Sequence, residues 1–192
     1  FQVCNLTEIN GGLANNLETF LRQCKAAAIL GTLQAGYTNF DYLSDVSNKI
    51  ISKEALLGVG ITGWMNNPQF LFNEENLAKG VEVIRETNKH VAELIGINPA
   101  ARLTTVKPSG NASVLLGCAS GIHGEHSQRY FRHVQMNKEQ EVVKYIKEQI
   151  PEMIEESVSS AHGTDYIVAF PIEETNPDAL FKKDLLGVKQ ME

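Results

Sequence analysis

Apolar residues recur at helical spacing in three stretches of the chain and gather into short compact runs between them. Leu17, Phe20, Leu21, Cys24 and Ala28 fall on one face of a 3.6-residue repeat. Asn15 or Asn16 is placed to cap that helix and Gly36 to end it. A second helix is predicted over 74–95 from Leu77, Val81, Ile84, Val91 and Leu94/Ile95, with Gly96 as its stop. A third is predicted over 138–154, presenting Val142, Tyr145, Ile146 and Gln149 on one face.

The intervening runs predict strands. The first covers 1–9 and leads into a Gly11-Gly12 turn; compact apolar strands follow at 56–61 and 101–106. A mixed strand is predicted around 130–134, and 166–172 is the clearest β-rich run. Asn66-Asn67-Pro68 reads as a turn, Asn98-Pro99 as a break, and 108–113 as a polar turn opening a small-residue stretch. The stretch through Phe40, Tyr42, Leu43 and Val46 is too mixed to predict an element. Strands alternating with long helices predict βα units and a parallel sheet, an α/β fold.

Composition narrows the class. The chain has 192 residues, enough to bury a core as one domain, with 43% apolar and 21% charged residues. A net charge of −6 argues against a general nucleic-acid surface while leaving room for a local phosphate site. No apolar run is long enough to span a bilayer, and the expected location is the cytoplasm. Three cysteines, Cys4, Cys24 and Cys118, do not make a secreted disulfide framework. The opening Phe1-Gln2-Val3-Cys4 reads as a strand already under way. Residues 184–192 have helical apolar spacing without a stop signal, so the sequence reads as a segment of a longer polypeptide.

Four places carry candidate chemistry. Gly58-Val59-Gly60-Ile61-Thr62-Gly63 fits a dinucleotide-binding pattern, and with it an NAD-linked oxidoreductase. The long helix that pattern must open is excluded by the turn at Trp64-Met65-Asn66-Asn67-Pro68. A glycine-rich strand end where backbones approach closely is the better reading. Val106-Lys107-Pro108-Ser109-Gly110-Asn111-Ala112-Ser113 is a strand-to-helix turn that is either a phosphate site or a plain capping turn. His123, His126 and His133 lie near one local cysteine, a poor zinc set; solvated loop histidines or a substrate-facing His123 fit better. Cys24 and Cys118 read as packing, and so, on residue type alone, does Cys4.

In order along the chain these segments resemble class II, adenosylcobalamin-dependent ribonucleotide reductases. Cys4-Asn5-Leu6-Thr7-Glu8-Ile9-Asn10 resembles the family's Cys-Asn-Leu strand, and Leu57 through Gly63 its glycine-rich barrel strand. Lys107-Pro108-Ser109-Gly110-Asn111-Ala112-Ser113 is similar to its Pro-Ser-Gly-Thr-x-Ser substrate-phosphate loop, with Asn111 in place of threonine. Ser120-Gly121-Ile122-His123 and Tyr130-Phe131-Arg132 resemble a further family stretch. Gly60-Ile61-Thr62-Gly63, Gly121-Ile122-His123 and Lys189-Gln190-Met191-Glu192 lean towards the monomeric, triphosphate-reducing branch.

The resemblance implies that residues 1–192 form part, mostly the second half, of a ten-stranded α/β barrel. It implies that Cys4 is half of a redox-active pair whose partner lies upstream, that Leu6 lies near the ribose, and that Pro108, Ser109, Gly110, Asn111, Ala112 and Ser113 hold phosphates, with His123 facing substrate. The implied cofactor is adenosylcobalamin, with no metal site in this chain. The implied partners are a ribonucleotide substrate, a thioredoxin-like reductant and a missing N-terminal part that carries the radical cysteine; no nucleic acid or membrane partner is implied. The alternatives are a fragment of a class I diphosphate reductase large subunit and a non-catalytic module that completes the barrel of a split enzyme.

Overall fold

The computed structural model describes residues 1–185 and 187. The cue at 189–192, and most of the predicted tail helix, lie outside the described residues. Two compact units divide the chain, one made of residues 1–125 together with the segment from 176 onward, the other of residues 126–175.

In unit 1, strand β1 (Asn5–Asn10) pairs in parallel with β2 (Leu57–Thr62), in the register Asn5–Leu57 through Asn10–Thr62. Helix α1 (Leu17–Ala35) joins them, followed by α2 (Asp45–Glu54); after β2 come the short α3 (Pro68–Leu71) and the long α4 (Glu74–Ile95). The caps follow the sequence: Asn16 accepts from the Thr19 amide, Asn73 from the Asn76 amide, and Gly96 ends α4 in the left-handed conformation at φ 74°. The core lies between one sheet face and the helices. Ile9, Leu57 and Val59 pack there with Phe20, Cys24, Ala27 and Ala28 of α1 and Ile84 of α4. A buried polar chain crosses this layer: Asn88 donates to the Thr32 hydroxyl at 2.9 Å and accepts from the Ala100 amide at 2.9 Å. Every group in that chain is satisfied, which a buried amide requires.

In unit 2, β3 (Arg129–Asn137), β5 (Asp165–Glu173) and β4 (Ile154–Glu156) form an antiparallel sheet in the order β3-β5-β4. Helix α6 (Glu141–Gln149) contributes the buried Val143, and β5 contributes Tyr166 and Val168. The Tyr166 ring lies between two ammonium groups, Lys138 at 4.5 Å and Lys147 at 4.6 Å from its centroid.

Several expectations are corrected. The first strand starts at Asn5, since residues 1–4 have no ladder partner. Residues 101–106 run beside β2 with a single bridge, Val59 to Thr104, and Val106 is largely exposed, because nothing described pairs with their outer edge. The third helix is cut to Glu141–Gln149 by Pro151, whose ring cannot continue a helix. It also turns Val143 inward and leaves Val142 and Tyr145 exposed. Residues 45–54 form the unpredicted α2, capped by the Ser44 hydroxyl accepting from the Ser47 amide. Asn66-Asn67-Pro68 joins a 3-10 turn (Trp64–Asn66) to α3. The parallel-sheet expectation holds for unit 1 and fails for unit 2, where β5 pairs antiparallel with both β3 and β4.

Candidate active site

Alternation along β1 places Asn5, Thr7 and Ile9 on one side and Cys4, Leu6 and Glu8 on the other. On the second side glycines of β2 form the floor. A Cβ on Gly58 would lie 2.6 Å from Leu6 Cδ2, 2.8 Å from Cys4 Sγ and 3.1 Å from Thr105 Cγ2. One on Gly60 would lie 3.3 Å from Glu8 Oε1 and 3.4 Å from Lys107 Cγ. The glycine pattern that mimics a dinucleotide motif is therefore the floor on which a thiol, an aliphatic chain, a carboxylate and an ammonium stand together. No long helix follows it; Gly63 opens the 3-10 turn instead.

Glu8 and Lys107 form an ion pair at 2.6 Å with side chains 9% and 24% exposed. The approach to Oε1 is not aligned as a hydrogen bond. The other oxygen, Oε2, accepts from Ser109 Oγ at 2.7 Å. Ser109 is buried and sits in the left-handed region at φ 55°, where a side chain costs on the order of 1–3 kcal/mol unless its surroundings hold it. The turn opens α5 (Gly110–Leu116), so the Gly110, Asn111 and Ala112 amides have no partner within that helix. Ser113 is occupied locally, donating to the Gly110 carbonyl at 2.7 Å.

The carboxyl ends of the two strands pin the end of α5 and the turn after it. Asn10 donates to the Leu116 carbonyl at 2.8 Å, and the buried Thr62 hydroxyl donates to the Ala119 carbonyl at 3.0 Å. The same hydroxyl accepts from the Gly121 amide at 2.9 Å. Gly121, at φ 54°, lies against the Lys107–Pro108 backbone: a Cβ there would be 2.7 Å from the Lys107 carbonyl oxygen. Ser120 Oγ donates to the Pro108 carbonyl. The structure thus brings the 107–113 loop and the 120–123 turn together beside the open face, and His123 is exposed two residues beyond that contact. A site at the carboxyl ends of parallel strands is where α/β sheets commonly bind ligands.

The three cysteines separate clearly. Cys4 is exposed, against the packing role read from residue type alone: it stands on the glycine floor rather than under a helix. Cys24 is buried in the core, and burial pushes its thiol up to about 12, which makes it inert near neutrality. Cys118 is also buried. A mostly apolar hollow of about 340 Å³, lined by Phe20, Cys24, Trp64, Ile84, Thr104 and Thr105, offers no charged group, and the face bearing Cys4 and the Glu8–Lys107 pair is the candidate site. Among the described residues no group of three or more His, Cys, Asp or Glu is arranged for a metal ion, and no helix is long and apolar enough to cross a membrane. Sequence reasoning gave no role to Glu8 or Lys107; their signal was a carboxylate two residues beyond Leu6 on the Cys4 face and a cation just before the loop.

No protein-family model matches the chain. The fold is similar to part of a class II ribonucleotide reductase: a B12-dependent enzyme of that class matches with a TM-score of 0.70 over 94% of this chain, at 18% identity, and 29% of that enzyme is covered. Among curated proteins the chain is similar to a probable adenosylcobalamin-dependent ribonucleoside-triphosphate reductase of Dictyostelium discoideum, 25% identical over 183 residues, and to the Lactobacillus acidophilus adenosylcobalamin-dependent ribonucleoside-triphosphate reductase, 24% identical over 173. These alignments take in 90% and 76% of this chain but only 22% and 23% of the relatives, so the chain spans less than a quarter of their length. The resemblance carried by the four motifs is shown again by these relatives and by the fold.

Proposed function

We propose that residues 1–192 are part of the catalytic barrel domain of an adenosylcobalamin-dependent ribonucleotide reductase acting on ribonucleoside triphosphates. In this reading they supply mostly the second half of a ten-stranded barrel, and the face bearing Cys4, Leu6, Glu8 and Lys107 turns to its interior. The observation that carries the proposal is the pairing, on one glycine-floored face, of an exposed thiol with the base of the 108–113 loop. A nucleotide substrate needs both, a reductant at the ribose and an anion site for the phosphates.

The chemistry replaces the 2′ hydroxyl by hydrogen. Two thiols deliver two electrons and two protons, the oxygen leaves as water, and a disulfide forms between the sulfurs. Cys4 is one of those thiols. Cys24 and Cys118 are buried, and the resemblance to the reductase family assigns the second thiol and the radical cysteine that takes the 3′ hydrogen to sequence preceding these residues. Leu6 packs near the ribose; Pro108, Ser109, Gly110, Asn111, Ala112 and Ser113 hold the phosphates, with His123 at the rim. The amides opening α5 and the nearby Lys107 support that assignment. Adenosylcobalamin supplies the initiating radical, but the thiol, carboxylate, ammonium and hydroxyl of the open face do not suit a corrin, whose contacts lie elsewhere in the complete protein. A thioredoxin-like reductant in the cytoplasm reopens the disulfide.

The test is ribonucleoside-triphosphate reduction by the longer protein containing this chain, with and without adenosylcobalamin. Cobalamin-dependent product that disappears in Cys4→Ser is expected. Product formation indifferent to both would overturn the assignment.

A further inference from the structure

Glu8 is an acidic side chain on the face of β1 that carries Cys4, and the proposed redox and phosphate functions do not use it. Its side chain is only 9% exposed, and burying a carboxylate is costly unless partners compensate. Both partners belong to the segment that enters the 108–113 loop. Lys107 holds Oε1, and Ser109 Oγ donates to Oε2 at 2.7 Å, on either side of Pro108. Ser109 is moreover the strained residue of the turn, and its bond to Glu8 spans 101 positions of sequence.

We infer that Glu8 is a positioning residue that clamps the 107–109 turn to β1, and so fixes how far the anion site stands from the Cys4 thiol. The inference rests on the phosphate-loop reading and deepens it. Cys4, Leu6 and Glu8 alternate along one extended strand, so Cys4 and Glu8 are separated by four residues, roughly 13 Å of strand at about 3.3 Å each. Strand β1 then works as a ruler: the thiol stands at one end, the clamp on the phosphate loop at the other, and a sugar phosphate of one length fits between. The Glu8 carboxylate also engages Lys107, the cation best placed for an incoming phosphate, so that its ammonium is held in place before the ligand arrives.

The experiment uses the 192-residue chain and two readouts, amide exchange of residues 113–116, the bonded amides of α5, without ligand and affinity for inorganic tripolyphosphate by calorimetry. Glu8→Ala is expected to speed exchange at 113–116 at least tenfold, leaving the α1 core amides as in the wild type, and to weaken tripolyphosphate binding about tenfold. Glu8→Gln keeps an oxygen for Ser109 and is expected to hold the loop's protection to within about threefold. Ser109→Ala, which removes only the hydroxyl, is expected to loosen the loop as Glu8→Ala does, and it decides the matter if Glu8→Ala fails to fold. Wild-type exchange at 113–116 in both Glu8→Ala and Ser109→Ala overturns the clamp, whatever the affinity. A wild-type chain that ignores tripolyphosphate would instead count against the phosphate reading, and the exchange data would still decide the clamp.

Discussion

On β1 and β2 of unit 1 one sheet face is packed with Ile9, Leu57 and Val59 under two helices, while the other is floored by Gly58 and Gly60 and carries a thiol, a carboxylate and an ammonium. The sheet of unit 2 divides its faces otherwise. Along β3 exposed and half-buried positions alternate, and the polar side chains of β3 and β5 pair with each other, as Arg129 with Glu173 at 2.6 Å and Gln135 with Asp165 at 2.9 Å. Unit 2 thus satisfies its own polar groups in the manner of a solvated antiparallel sheet. Unit 1 spends two strand glycines, residues that weaken a strand, so that the Leu6, Cys4, Glu8 and Lys107 side chains can lie close over one face. A bare floor on which a thiol, a carboxylate and an ammonium gather marks a candidate site; paired surface charges do not.

Removing the packed face of unit 1 is expected to have the largest effect. Phe20→Ala deletes a fully buried ring that meets Phe70 edge-on at 5.7 Å, and should cost about 3–5 kcal/mol in chemical denaturation. Filling the open face comes next. Gly58→Ala puts a methyl into the Leu6 and Cys4 side chains and should cost about 1–3 kcal/mol. It should also change the alkylation rate of Cys4, and an unchanged rate and stability would mean that the floor is not tight. Asn16→Ala removes the cap of α1 and should cost about 1 kcal/mol by thermal unfolding.

The smallest expected effect sharpens the other side of the comparison. Hydrogen bonds from Gln135 first, and then from Ser160, Thr164 and Asn137, hold the Asp165 carboxyl below its usual range. A lowered folded pKa means that this contribution is present above the ordinary aspartate range and is lost as pH falls through the depressed value. The protection factor of the Thr164 amide, bonded to Ser160 Oγ, should therefore fall slightly as pH drops through that depressed value and lose that dependence in Asp165→Asn.

Helix α4 could be read to the residue from its apolar spacing and its Gly96 stop, and α1 to within a residue of its Asn cap. Helix α2 could not: its sequence carries a polar face and a short length, and only the Ser44 cap marks it. Residues 101–106 look like a buried strand because Leu103 and Val106 are apolar, yet burial depends on a neighbour that sequence periodicity does not reveal. At the candidate site the motifs holding Cys4 and 108–113 stood out in the sequence, whereas a role for Glu8 did not. Its bond to Ser109 exists only once β1 and the loop are brought together.

The central claim concerns the Cys4 thiol, and its most direct measurement is a single turnover without external reductant. The longer protein is mixed with a ribonucleoside triphosphate and adenosylcobalamin, quenched with an alkylating agent and mapped by mass spectrometry. Cys4 is expected in a disulfide with a cysteine preceding this chain, in proportion to the deoxynucleotide formed. Deoxynucleotide formed with Cys4 still fully alkylatable would contradict the account.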